Sequence, residues 1–310
     1  MKTLSESFEL QPTHIPVMTE EVLKIFDFLG DSQSKIFLDC TAGEGGHSIA
    51  ILDYFPNSKI LLIDRDVEML ERAKERLSKY KDRTYFYNCN YSQIDENLLT
   101  ELHFPKSVDG ILIDAGISMT HYLKSNRGFG IKQDEDLDMR LDCNGTVTAK
   151  EILKNYSEKK LEEIFLNYGE ENWSRKIAEK IVEERRRNPI QTTFDLSKLI
   201  ERTIPRKFWP PKSHPGVRIF QALRIEVNSE LKHLSDAFQN LPKLLNKNGI
   251  LCIISFHSLE DRIVKHSMIN LKKGGFQILT KKPIIPSEVE IRGNHASRSS
   301  KLRAIQRKEI

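Results

Sequence analysis

No apolar run in this 310-residue chain reaches the ~18–20 residues of a membrane span. The opening Met1-Lys-Thr-Leu-Ser-Glu-Ser-Phe8 lacks the apolar core of a signal peptide. Cysteine is scarce. Cys40, Cys89, Cys143 and Cys252 stand far apart with no C-x-x-C pair, which suggests neither a disulfide framework nor a zinc site. These absences set the expectation of a cytoplasmic protein in a reducing compartment, without membrane or metal. What remains is an ordinary globular composition, enough for one large domain or two of typical size.

The net charge of +4 is small but unevenly spread. From Arg262 to Ile310 there are 12 Lys and Arg against 3 Glu, whereas the rest carries 36 bases against 41 acids. A basic C-terminal segment beside a near-neutral body points to a polyanion on one face; a solvated basic tail would carry the same charge.

The most informative stretch is Lys35-Ile-Phe-Leu-Asp-Cys-Thr-Ala-Gly-Glu-Gly-Gly-His47, followed by Lys59-Ile-Leu-Leu-Ile-Asp-Arg-Asp66. It reads as strand, glycine turn, helix, strand, acid. Glycines at 43, 45 and 46 permit positive φ and a close approach of backbone to ligand. The helix that follows turns its free N–H groups toward the same place. Asp64 ends the second strand, where an acid can accept ribose hydroxyls. Ser48 stands where a dinucleotide fingerprint wants its third glycine, and Glu44 suits a pyrophosphate poorly. S-adenosylmethionine, which has no phosphate, fits better. An ordinary βα turn with glycine for packing would look the same on this stretch alone.

Further strands are expected at Thr84–Cys89, Val108–Asp114, Gly249–Ser255, Phe276–Thr280 and Leu302–Gln306, with helices at Val67–Lys79 and from Gly216 to near Leu245. Asp39, Asp64 and Asp114 would then end three strands on one edge, where open parallel sheets bind ligands. Tyr91, just past the third strand, is placed to lie against an adenine or to cap the core. Between His121 and His214 no strand signal appears. Helical patterns at Ala149–Lys154, Glu158–Asn167, Asn172–Arg187 and Thr193–Thr203 predict an all-helical insertion. Three segments follow: 1–121 and 215–310 for the sheet domain, 122–214 for the insertion. Arg218 and Arg224 lie among apolar positions and call for partners. Lys207-Phe-Trp-Pro-Pro-Lys212 mixes bases and aromatics as single-stranded nucleic-acid surfaces do, or is a packed turn. His257 and Asp261, four apart at a helix start, fit metal ligation less well than capping.

Assembled in order, these segments resemble the bacterial small-subunit ribosomal-RNA methyltransferase H family, also known as MraW. The motifs that carry the likeness are His14 with Glu20-Glu21-Val22, Asp39-x-Thr41-x-Gly43-x-Gly45-Gly46-His47-Ser48, Asp64-Arg-Asp66 and Gly110-Ile-Leu-Ile-Asp114. They continue with Arg127-Gly-Phe129, Leu137-Asp-Met-Arg-Leu-Asp142, Tyr168-Gly-Glu170, Arg218 to Glu230, Ile254 to Arg262, and Ala296-x-Arg-Ser-Ser-x-Leu-Arg303. The resemblance implies a class I methyltransferase fold, an α/β, mostly parallel seven-stranded Rossmann-like sheet with an inserted helical domain. It implies S-adenosylmethionine as cofactor, held by Gly45, Gly46, His47, Asp64, Tyr91, Asp114 and His121. The implied reaction is methylation of N4 of a cytidine in the decoding region of 16S rRNA within the small ribosomal subunit. After Asp114 the family usually has Leu-Gly-Val-Ser-Ser with a following Gln; here stand Ala-Gly-Ile-Ser118-Met119 and His121. Tyr91 replaces a common phenylalanine.

Asp114, Ser118 and His257 are the candidate catalytic groups, and Arg127, Arg140, Arg218, Asp261, Arg262 and Arg298 the candidates for rRNA phosphates or the target pocket. A structural ion pair is the other reading for Arg218 and Arg224. No cysteine follows a proline, so the Pro-Cys nucleophile of cytosine-C5 enzymes is missing. Asp114-Ala-Gly-Ile also departs from the Asp/Asn/Ser-Pro-Pro-Tyr/Phe of DNA amino-methyltransferases, so DNA is not the expected partner. A non-catalytic rRNA-binding assembly factor with S-adenosylmethionine as structural ligand stays open, as do monomer and homodimer.

Overall fold

In the computed structural model, which describes residues 15–30 and 34–308, the chain opens with α1 (Thr19–Phe26) and then alternates strand and helix. The order is β1 (Ile36–Asp39), α2 (Gly46–Tyr54), β2 (Lys59–Asp64), α3 (Val67–Arg76), β3 (Thr84–Asn88), α4 (Glu96–Glu101) and β4 (Val108–Asp114). Six helices follow with no strand between them: α5 (Met119–Leu123), α6 (Ala149–Asn155), α7 (Glu158–Asn167), α8 (Ser174–Glu184), α9 (Thr193–Thr203) and α10 (Val217–Asn228). Then come α11 (Glu230–Asn240), β5 (Leu245–Ser255), α12 (Ser258–Lys272), β6 (Phe276–Ile278), α13 (Glu288–Gly293) and β7 (Lys301–Arg307). His14 lies outside the described residues. Among the described residues no helix is long and apolar enough to cross a membrane.

The seven strands form one sheet in the order β3-β2-β1-β4-β5-β7-β6. The first five are mutually parallel; β7 runs antiparallel to both β5 and β6. The parallel strands read as near-continuous apolar runs because helices cover both faces. Ile60, Leu61, Leu62 and Ile63 are all buried, as are Ile111, Leu112 and Ile113. Gly110 has a packing reason: a Cβ there would lie 2.5 Å from Cδ1 of Phe37, whose ring crosses β4 to meet Phe26 edge-on. Parallel connections return each strand to the same edge, so Asp39, Asp64 and Asp114 end there together.

The chain divides into two compact units. One comprises the chain up to Gly116, Ala237–His257 and the chain from Val264 onward; the other comprises Ile117–Asp236 and Ser258–Ile263. The crossover falls at Gly116 and Ile117, so Ser118 and His121 belong to the helical unit. Its far boundary also lies beyond 214. Helix α10 packs on α6 and α7, and Ile219, Phe220, Ala222 and Leu223 join the helical core.

The long helix expected from 216 to 245 is two helices. Ser229 takes the left-handed conformation, φ 48°, and ends α10 before α11 begins at Glu230. A hydrophobic period alone cannot report a one-residue break that leaves the period intact. Helix α1 begins at Thr19 behind Met18, which takes the left-handed conformation at φ 54°. Elsewhere side chains start the helices as sequence chemistry asks: Asp66, Thr148, Ser157 and Thr192 each accept a first-turn N–H.

Candidate active site

In the sheet unit, the glycine turn is built by acids that point inward. Asp39 is buried; its Oδ2 accepts from the Ser48 hydroxyl at 2.6 Å and its Oδ1 from the Thr41 amide at 3.2 Å. Burial pushes its carboxyl above the ordinary range, against the pull of Ser48, His47 and Thr41. Asp64 accepts the Gly43 amide on Oδ2 at 2.8 Å and the Asp66 amide on Oδ1 at 2.9 Å. A carboxylate can accept about four hydrogen bonds, so one group can hold the turn and still take a ribose hydroxyl. The Asn88 amide donates to the Asp64 carbonyl at 2.8 Å and ties β3 to the same point.

Gly43 and Gly45 have φ of 50° and 78°. A Cβ on Gly45 would lie 2.7 Å from Cδ1 of Leu77, and one on Gly46 would lie 2.9 Å from Cγ of Pro16. These glycines are therefore needed for packing as well as for any ligand. Glu44 is held by bases. Its carboxylate lies 3.6 Å from guanidinium nitrogens of both Arg72 and Arg76, and Arg76 also donates to its carbonyl at 2.7 Å.

Asp114 stands at the end of β4, its amide donating to the Thr41 hydroxyl at 2.7 Å. Its Oδ2 lies 3.5 Å from Nε2 of His47, too poorly aligned for a hydrogen bond, and its Oδ1 has no partner. Both ring nitrogens of buried His47 also lack hydrogen-bond partners. Buried polar atoms are ordinarily satisfied, so unsatisfied ones at the strand ends mark a place for a polar ligand. Such atoms suit a zwitterionic cofactor with ribose hydroxyls. Two residues on, Gly116 carries the Phe256 ring, which a Cβ would meet at 2.5 Å. Tyr91 opens a short 3₁₀ turn capped by Asn90, next to the end of β3. His257 follows β5, whose Ile254 pairs with Asp114.

The chain matches the family model described as the MraW methylase family over residues 11–308. It is 51% identical over 300 residues to the ribosomal RNA small subunit methyltransferase H of Leptospira interrogans serovar copenhageni, covering 96% of this chain and 90% of that one. It is 45% identical over 296 residues to the protein of the same name from Thermotoga neapolitana, covering 94% and 95%. The chain belongs to the MraW methylase family. It is an S-adenosylmethionine-dependent methyltransferase with the class I fold.

Within this MraW-family chain the candidate residues separate by unit. Gly45, Gly46, His47, Asp64, Tyr91, Asp114, His257 and Arg298 lie in the sheet unit, with Arg298 exposed on a 3₁₀ turn before β7. In the helical unit, Ser118 caps α5 by accepting the Thr120 amide at 3.2 Å, and the His121 ring packs against Phe129 with centroids 5.4 Å apart. Asp261 lies in the first turn of α12.

Arg127 and Arg140 turn out to hold the loop that contains them. Arg127 is buried and donates to the carbonyls of Arg140 and Leu141 at 3.0 and 3.3 Å. Arg140 forks onto Asp138 and also donates to the carbonyls of Cys143 and Gly145. The same loop is pinned by Asn228, whose amide donates to the Met139 carbonyl at 2.7 Å while its oxygen accepts the Leu141 amide at 2.9 Å. Arg224, four residues earlier on α10, makes a two-point ion pair with Glu230 at 2.9 and 3.0 Å. Burial alone would lower its pKa, but the Glu230 carboxylate raises it well above the ordinary value. The ion-pair reading is the one observed for Arg224.

Arg218 and Arg262 do converge. Glu170, at φ 48°, gives its carbonyl to Arg218 at 2.9 Å and its carboxylate to Ser258 at 3.0 Å and to Arg262 at 3.4 Å. Gly169 backs onto α10, where a Cβ would lie 2.8 Å from the Arg218 carbonyl. Thr41 and Asn88 in the sheet unit, and Glu170 in the helical unit, each hold candidate residues in place without having stood out as candidates in the sequence. Thr41 and Glu170 belong to the family motifs, but only their distant partners reveal the role.

Proposed function

We propose that the chain methylates N4 of a cytidine in 16S rRNA of the small ribosomal subunit, in its decoding region. The observation that carries the chemistry is Asp114: a carboxylate with a partnerless Oδ1 at the ligand edge of β4, its backbone fixed by Thr41. The rRNA substrate is supported by family membership and by the names of relatives at 42–51% identity; the cytidine N4 target is supported by the motif resemblance.

Cytosine N4 is a weak nucleophile because its lone pair is delocalised into the ring. A hydrogen-bond acceptor on one N4–H localises that pair and aims it. Asp114 Oδ1 is that acceptor, and His257, next to the end of the neighbouring strand, is a second candidate. Ser118, which caps α5, positions the loop after Asp114. Bound S-adenosylmethionine supplies a methyl group activated on a sulfonium. Gly45, Gly46 and His47 hold its amino-acid end, Asp64 its ribose and Tyr91 its base; the motif resemblance adds His121 to this set. In-line positioning alone can supply ~7–11 kcal/mol of the barrier. The reading needs no thiol intermediate, and no cysteine follows a proline. The target base must leave its stack, costing a few kcal/mol.

The test is transfer of tritiated methyl to small subunits and to naked 16S rRNA, followed by nucleoside analysis. N4-methylated cytidine is expected, with Asp114→Ala reducing the rate by at least about 100-fold. Full activity in that variant would remove Asp114 from its role. Tight cofactor binding with no label on either RNA would favour a non-catalytic assembly factor.

A further inference from the structure

A groove of about 520 Å³ lies in the sheet unit, between α12 and the β6 edge of the sheet. Lys265, Met268, Ile269 and Lys272 line one wall, one face of α12 at helical spacing. Phe276 of β6 and Lys281 beyond it line the other wall, and Arg303 of β7 contributes from below. Four of the ten lining residues are cationic and none is acidic. None of Lys265, Lys272 and Lys281 makes an ion pair or hydrogen bond among the described residues. Lys74, Lys176, Lys180 and Lys232 on other helices are paired with acids, so what sets the groove apart is that its cations line one cavity with no acid among them.

Unpaired like charges around one cavity repel one another, and a protein that keeps them there leaves the neutralising charge to a ligand. The groove volume falls in the ~300–1,000 Å³ range of small-ligand sites. Its walls combine cations with the partly exposed Phe276 ring and Ile269, which is 43% exposed. Bases around an aromatic and aliphatic floor suit a nucleic-acid strand, whose phosphates meet the lysines while a base or ribose covers the ring. At 1.5 Å per residue, Lys265 and Lys272 lie roughly 10 and 20 Å along α12 from its start just after β5. Through β7, β6 lies level with Ile250 and Leu251, away from the Ser255 end of β5, so a strand held there is not the target itself.

We infer that this groove is a second rRNA-binding site, taking the sugar–phosphate backbone of a single-stranded segment at a distance from the methylated nucleotide. The inference rests on the rRNA substrate proposed above. The test compares the wild type with the triple variant Lys265→Gln/Lys272→Gln/Lys281→Gln on small subunits over a range of salt concentrations. Thermal melting and S-adenosylmethionine binding report that the variant is folded. The expected result is a rise in KM for subunits of about 10-fold and a salt slope shallower by about 2–3, near 0.7–0.9 for each phosphate no longer neutralised. The triple Lys→Arg variant is expected to restore both. An unchanged KM and salt slope in the folded variant would overturn the site. So would loss of binding only to anionic vesicles or an acidic protein. Absence of methyl transfer to rRNA by the wild type would overturn the substrate reading instead, a result visible before any variant is made.

Discussion

Removing Glu230 should expose how strongly α10 and α11 are tied. The Arg224 and Glu230 side chains keep only 12% and 7% of their surface accessible, and two nitrogens face two oxygens at 2.9 and 3.0 Å. At that separation and an effective dielectric near 20, their attraction is about 5.5 kcal/mol. Glu230→Ala recovers the carboxylate's own desolvation cost, and Glu260 supplies a second negative charge to the Arg224 surroundings. The net loss is therefore expected at about 3 kcal/mol, the lower end for breaking a buried pair. The double variant Arg224→Met/Glu230→Leu removes both partners together, so it should cost less than Glu230→Ala even though buried Glu260 loses one counter-charge. Urea unfolding followed by tryptophan fluorescence is the assay, because Trp173 and Trp209 are the only tryptophans and both lie in the helical unit. A Glu230→Ala cost under about 1 kcal/mol, the value of an exposed pair, would refute the reasoning. So would a double variant as unstable as the single one.

Gly45→Ala puts a side chain at φ 78° with its Cβ 2.7 Å from Leu77; a loss of at least about 1–2 kcal/mol and weaker cofactor binding are expected by calorimetry. Asp138 is governed by two opposed effects: burial pushes its carboxyl up, but hydrogen bonds and charge from Arg140 outweigh this and hold it below the usual range. Its stabilising contribution is present above the unfolded-state value of about 3.9 and is lost as pH falls through the lower folded value, so Asp138→Asn should destabilise at pH 7 and flatten the acid limb of an unfolding titration. At pH 7.5 one thiol, exposed Cys143, should react quickly with an aromatic disulfide reagent, because Cys40 and Cys252 are buried and burial pushes Cys89 up to about 11; a second fast thiol would contradict this.

Local chemistry was legible in the sequence. Strand, glycine turn, helix and terminal acid follow from nearest-neighbour patterns, so β1, α2, β2 and the turn between Gly43 and Gly46 could be read in order. Helices α7 and α9 begin and end where the periodicity puts them, and the fold shows Ser157 and Thr192 capping them. Runs buried on both faces marked the parallel strands, and parallel strands must send their ends to one edge.

Tertiary structure decided what depends on residues far apart in the chain. An arginine in a charged loop reads equally as a phosphate ligand or a brace. Only folding showed Arg127 and Arg140 consumed by carbonyls of their own loop, with Asn228, 87 positions from Leu141, closing it. Ser229 broke a helix whose apolar period runs on unchanged, because a single left-handed residue redirects the chain without altering its pattern. The partnerless oxygen of Asp114 and the unpaired lysines of the groove are likewise invisible in sequence. Whether a charge is satisfied depends on every group that folding brings within a few ångströms, and that is a property of the packed chain alone.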